Sequence, residues 1–121
     1  METRKKHDLR IKRHKRLRKK VHGTADRPRL TIFKSSRHFY AQIINDDLAH
    51  TLVSASTLEP EMRSSLKQTG NGDAVLKVGE LIAKKAKKAK ITQVVFDHGG
   101  FGYKGKIKQF ADKTREQGLV F

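Results

Sequence analysis

The chain has 121 residues, with 28 Lys or Arg against 12 Asp or Glu and a formal net charge of +16. That length suits one domain with a modest core, and the absence of cysteine excludes disulfides and thiolate metal sites and fits a reducing compartment. No run of 18 or more apolar residues is present and no apolar segment follows the charged N-terminus, so neither a membrane-spanning helix nor a signal peptide is expected.

Residues 1–22 carry eleven Lys or Arg and two acids, net +9, and residues 23–121 keep +7. Like charges packed so densely repel one another and cannot be buried, so a polyanion must neutralise them. Nucleic acid is the commonest, because each bound phosphate releases condensed counterions. A membrane surface is the poorer partner. The apolar residues of this stretch are Leu9, Ile11, Leu17 and Val21, a thin face without an aromatic. The stretch lacks Pro and Gly before Gly23 and is rich in helix formers. Self-repulsion predicts an arm frayed or disordered alone and helical once phosphates screen it. Gly23, Thr24, Asp26 and Pro28 mark its end, which divides the chain into a basic arm, 1–22, and a globular domain, 23–121.

Period-two alternation and β-branched or aromatic content predict strands at Arg29–Lys34, His38–Ile44 and His50–Ser56. The short links Ser35-Ser36-Arg37 and Asn45-Asp46-Asp47 make these an antiparallel meander. Residues 57–72, with Pro60, Gly70, Asn71 and Gly72, read as irregular. A helix is expected from about Asp73, as N-cap, to Lys90. Val75, Val78, Gly79, Ile82, Ala86 and Ala89 would share one face, with Gly79 allowing close approach to the sheet. Gln93-Val94-Val95-Phe96 reads as a buried strand. After a Gly-rich loop, a second helix starts near Gly105 with Ile107, Phe110, Ala111 and Thr114 inward and Gly118 at its C-cap. Leu119-Val120-Phe121 would add an edge strand. The meander followed by α-β-α(-β) predicts an α/β fold, a mixed sheet flanked by helices.

The loop Gly99–Gly105 matches two nucleotide motifs by spacing. Gly100-x-Gly102-x-x-Gly105 fits the dinucleotide fingerprint, and Gly100-x4-Gly105-Lys106 fits most of a P-loop. The chemistry of both fails. Ile107 stands where a P-loop needs Ser or Thr for magnesium, and no acidic residue stands about 20 positions on, as ribose recognition requires. No cofactor and no small-molecule substrate are therefore expected. The glycines still let backbone N–H groups approach an RNA phosphate, with Lys104 and Lys106 adding charge and Tyr103 stacking on an unpaired base; Phe101 reads as the aromatic that folds back on the core. Asp97-His98 has no third partner for acid–base catalysis, so Asp97 reads as a loop cap and His98 as a surface contact. His7, His14 and His22 lie in a stretch that repels cations, so no metal is expected. Lys84–Lys90 is a basic helix end that suits the helix dipole, and Ser35-Ser36-Arg37-His38 offers donors to phosphate or sugar. No helix-turn-helix, zinc finger or heptad dimer accompanies the arm. Loops with glycines and aromatics favour RNA over DNA. The competing reading is a basic protein that compacts DNA or RNA.

These stretches resemble the bacterial large-subunit ribosomal protein L-eighteen family, binders of 5S ribosomal RNA. The resemblance spans essentially the whole chain and rests on Arg27–Leu30, Ser35–Gln42, His50–Thr57, Val94–Gly100, Tyr103–Lys106 and Arg115–Phe121 in that order after a basic arm. Family members usually have Asn and Lys at the positions of Ser36 and Arg37, Arg at His98, His at Lys104 and often Arg at Lys106. The resemblance implies a ribonuclease-H-like fold without that enzyme's catalytic carboxylates, hence a structural protein and not an enzyme. It implies a cytoplasmic, ribosome-bound place in the central protuberance, with 5S rRNA, 23S rRNA and neighbouring large-subunit proteins as partners. The RNA-binding residues expected are Arg4, Lys5, Lys6, Arg10, Lys12, Arg13, Lys15, Arg16, Arg18, Lys19 and Lys20 in the arm. Ser35, Ser36, Arg37, His38 and Tyr40 follow at the first turn. The Gly-rich loop adds His98, Gly99, Gly100, Tyr103, Lys104, Gly105 and Lys106.

Overall fold

The computed structural model describes residues 2–35, 37–60 and 72–121. The basic arm forms one helix, α1 (Glu2–Arg18), closed where the Lys20 and Val21 amides donate to the Leu17 carbonyl. Lys15, Arg16 and Arg18 fall in its last turn, where cations favour the dipole. Three strands follow, β1 (Arg29–Lys34), β2 (Phe39–Asn45) and β3 (His50–Ser56), paired antiparallel as the short links between them predict. The β2–β3 register shifts between Ile43 and Ile44. Ile43 pairs with Val53 and Ile44 with Thr51, so Leu52 is an extra residue that breaks the alternation of β3.

Helix α2 (Gly72–Lys88) starts at Gly72, which belongs to the helix and not to an irregular link, and Asp73 sits in its first turn instead of capping it. Within the expected irregular stretch, Thr57 and Leu58 form a turn, and residues 61–71 lie outside the described residues. Ala74 and Ala83 join the predicted buried face, whereas Ala89 lies beyond the helix and is exposed. The turn that ends α2 places Lys90 at φ +61°, with the Ile91 amide reaching back to the Ala86 carbonyl at 2.8 Å. Strand β4 (Val95–Asp97) pairs parallel with β1, giving the order β3-β2-β1-β4. Helix α3 (Lys106–Glu116) buries Ile107, Phe110, Ala111 and Thr114, as its spacing predicts. The Leu119 amide bonds the Thr114 carbonyl at 3.1 Å around Gly118. The expected C-terminal edge strand is reduced to one parallel bridge between Gln93 and Val120.

The fold is thus the mixed, helix-flanked α/β sheet expected. Its inner face presents Leu30, Ile32, Phe39, Ala41, Ile43 and Ala55 to α2 and α3. Phe110 reaches Phe39 at 5.1 Å between centroids. Gly79 faces α3 and not the sheet: a Cβ there would lie 3.4 Å from Lys113 Cβ and 3.5 Å from the Phe110 ring. Burying such side chains stabilises by about 1.5–3 kcal/mol each. The outer face carries Thr31, Phe33, Tyr40, Gln42 and Ile44, and α1 lies across it.

Candidate nucleic-acid interface

Because β1 and β4 run parallel, their C-terminal ends lie together, where β2 begins. The 35–38 turn, the Gly-rich loop and the N-terminus of α3 therefore gather at one end of the sheet. The turn closes on itself: the Ser35 amide donates to the His38 carbonyl at 2.9 Å, and the His38 amide to Ser35 Oγ at 3.1 Å. His38 Nδ1 sits 2.9 Å from the hydroxyl of buried Thr57. Arg37 is exposed, Tyr40 is half-buried, and Ser36 lies outside the described residues. In the loop, Phe101 folds inward against Phe33, at 6.0 Å. Tyr103 stays exposed, its hydroxyl accepting from Arg115 at 3.0 Å. Lys104, Gly105 and Lys106 are exposed at the start of α3. His98 is half-buried beside Phe96 and Tyr103, and its Nδ1 is buried without a hydrogen-bond partner among the described residues.

Helix α1 sorts its cations by face. Lys5, Lys6, Lys12, Arg13, Lys15 and Arg16 are exposed, Arg4 lies in the same helix, and Lys19 and Lys20 are exposed in the turn after it. Arg10, His14 and Arg18, four residues apart, turn inward with Ile11 and Leu17. The Arg10 guanidinium donates to the Gly99 carbonyl at 3.0 Å and stacks 4.9 Å from the Phe101 ring centroid and 5.3 Å from that of Phe33. His14 Nε2 is 2.9 Å from Asp97 Oδ2. Arg18 donates to the Val21 carbonyl at 2.8 Å and to Asp46 at 3.2 Å. Arg10 meets the loop end of β1 and Arg18 the opposite end, so α1 runs antiparallel to β1. Residues 2–9 extend beyond the loop end, at 1.5 Å per residue about 12 Å. Between α1 and the sheet is a cleft of about 540 Å³ lined by Arg10, His14, Arg29, Phe33 and Tyr40 among others.

Gly99 and Gly100, expected to offer amides to an RNA phosphate, have a role within the fold. Both are buried. The Gly99 amide donates to Asp97 Oδ1 at 2.9 Å. Gly100, at φ +82°, packs so tightly beneath α1 that a Cβ would strike the Arg10 carbonyl and the His14 backbone. Arg10 and Arg18 are likewise engaged by the protein. The contacts of Gly100, Arg10 and Arg18 follow from one event, the docking of α1, that the sequence does not announce.

Sequence reasoning also missed the buried charges beneath α1. Asp97 caps its loop as expected, yet it is wholly buried and also accepts from Arg29 at 2.6 Å and Thr31 at 3.2 Å. Arg29 forks onto Asp46, with its Nε 2.9 Å from Oδ2 and its Nη2 3.0 Å from Oδ1. The Gly23 amide adds a 2.7 Å bond to Asp46. Burial alone would raise the pKa of both carboxyls. Hydrogen bonds and charge reverse this, holding Asp97 below its ordinary range through His14, Gly99 and Arg29, and Asp46 well below it through Arg29, Gly23 and Arg18. Burial would lower Arg29, and the two aspartates raise it instead. Nothing in the spacing of residues 29, 46 and 97 signals this network. In the basic end of α2, Lys85 is tied to Glu59 and the Ser54 carbonyl, both at 2.7 Å, while Lys84, Lys87, Lys88 and Lys90 are exposed.

Residues 4–121 match the family model described as ribosomal L18 of archaea, bacteria, mitochondria and chloroplast. Among similar proteins, the large ribosomal subunit protein uL18 of Pseudothermotoga lettingae is 56% identical over 93% of this chain and 92% of its own length. That of Thermotoga petrophila is 54% identical over 96% of this chain and 95% of its own, and that of Aquifex aeolicus 56% identical over 94% of each.

Proposed function

The chain belongs to the ribosomal L18 family, and from that premise we propose that it is a structural constituent of the large ribosomal subunit that binds 5S rRNA and helps attach it to 23S rRNA in the central protuberance. The proposed partners are these two RNAs and neighbouring large-subunit proteins, with a ribosome-bound, cytoplasmic location and no catalytic step. The observation that supports this reading is the division of α1. Six Lys or Arg from Lys5 to Arg16 face outward on a helix seated across a folded sheet, and Lys19 and Lys20 are exposed in the turn that follows it. That surface continues to the loop end, where Arg37, Tyr103, Lys104 and Lys106 are exposed. Cations there would neutralise phosphates, and the exposed Tyr103 ring would stack on an unpaired base.

Contact with about six to eight phosphates gives a log–log salt slope of about −5 to −7. Titration of 5S rRNA at several salt concentrations measures it, and a flat response would contradict the reading. Competition between 5S rRNA and duplex DNA at fixed salt separates it from nucleic-acid compaction. Loss of residues 1–22 is expected to weaken binding strongly while residues 23–121 stay folded.

A further inference from the structure

Arg10 and Arg18 were expected to grip RNA, yet both point their donors at the protein, and His14 between them does the same. Their spacing of four residues makes one stripe along α1, and the stripe meets three levels of the sheet: the Gly99 carbonyl, Asp97 and Asp46. The acceptors are not mobile surface acids. Asp97 is wholly buried, and both carboxylates are held in place by the same Arg29 fork. Gly100 then fixes the distance of closest approach, because it leaves no room for a side chain under Arg10 and His14. A helix with cations on most sides can roll to present any of them. Three directional contacts at three levels leave it one roll and one register, with Lys12, Lys15 and Lys19 outward.

We propose that Arg10, His14 and Arg18 are a clasp that sets the roll and register of α1, and that Asp97 is a positioning residue for RNA binding although it touches no RNA. The proposal rests on the RNA-binding reading above. It differs from a direct-contact reading of these side chains in a measurable way. A phosphate ligand contributes about 0.9 to the salt slope, whereas a positioning residue changes affinity and leaves the slope alone.

The test uses the full chain and 5S rRNA over a salt series, comparing His14→Ala, Lys15→Ala and Asp97→Asn. Lys15→Ala, next door and outward, is expected to flatten the slope by about one. His14→Ala is expected to weaken binding about five- to tenfold at every salt concentration without changing the slope. For Asp97→Asn the two views differ in sign. Removing a negative charge from an anion-binding protein tightens binding by simple electrostatics, whereas loss of the clasp weakens it several-fold. Flattening by His14→Ala equal to that by Lys15→Ala, unchanged affinity in His14→Ala, or tighter binding by Asp97→Asn would overturn the clasp. Should Asp97→Asn not fold, His14→Ala decides alone, since it lies on a half-exposed helix position. The same series on duplex DNA keeps the outcomes apart. A protein indifferent to 5S rRNA overturns the proposed function, while the slopes on DNA still report on the clasp.

Discussion

The two faces of the sheet are covered by different physics. On the inner face, α2 and α3 meet the strands through aliphatic and aromatic side chains, with Phe39, Phe110, Ile43 and Ile82 almost wholly buried. On the outer face, α1 is seated by two arginines, a histidine and its close packing on Gly100. Apolar burial is non-directional and nearly indifferent to salt and pH. Charged contacts are directional, respond to both, and fail when one partner is removed. The body is thus held by area and the arm by aim, and an RNA-facing helix needs aim more than it needs area.

The sharpest break of that contrast is on the inner side. Phe110→Ala removes a wholly buried ring stacked near both Phe39 and Phe96 and is expected to cost about 3–5 kcal/mol. The α1 contacts should disappear in the same transition, because Asp97 and Arg29 sit on the strands that this core supports. Urea denaturation followed by circular dichroism measures it, and a loss below about 1 kcal/mol would mean that the core is elsewhere.

The outer side breaks by acid. Both Asp46 and Asp97 are held below the ordinary carboxyl value of 3.8. The folded state therefore takes up their protons less readily than the unfolded chain does. Their contribution is complete above about pH 5 and is lost as pH falls through about 4 and below. Thermal unfolding should show a flat Tm from pH 7 to 5 and a fall below about 4. Asp97→Ala, which removes one of the two carboxylates that hold Arg29 and leaves its Nη1 without an acceptor, should cost about 1–3 kcal/mol at pH 7. Asp97→Asn should make the acid fall shallower, and an unchanged acid limb would remove Asp97 from the account.

What could be read in the sequence follows the same division. The strands and the inward face of α3 repeat at periods of 2 and 3.6, and Ile107, Phe110, Ala111 and Thr114 are buried where spacing puts them. Extra or atypical residues break periodicity, so the Leu52 bulge and the turn through Lys90, which takes a positive φ without being glycine, were not legible. The arm gave its charge and its helical tendency but not its seat. A faint signal exists in Arg10, Ile11, His14, Leu17 and Arg18, the positions one helix face would share. Nothing in that pattern says that the partner is a carboxylate 83 residues away. Pairs such as Arg29 with Asp46 and Asp97 are set by strand topology, which local spacing does not encode.

The smallest effects come from two glycines, one under each cover, and they sharpen the comparison most. Gly100→Ala puts a methyl group at φ +82° and into the Arg10 carbonyl, a backbone conformation that costs about 1–3 kcal/mol for a residue with a side chain. Part of that clash is relieved if α1 lifts away. The expected result is a stability loss of about 2 kcal/mol or less, accompanied by weaker RNA binding. Gly79→Ala puts the same methyl between α2 and α3, in ordinary contact with Lys113 and Phe110 at 3.4–3.5 Å. There the helix gains up to about 1 kcal/mol in propensity, so stability should hold or rise slightly and RNA affinity should not change. Denaturant midpoints and RNA titrations on the two variants test the pair. If Gly100→Ala binds RNA as the parent does while Gly79→Ala does not, the seat of α1 has been put on the wrong face.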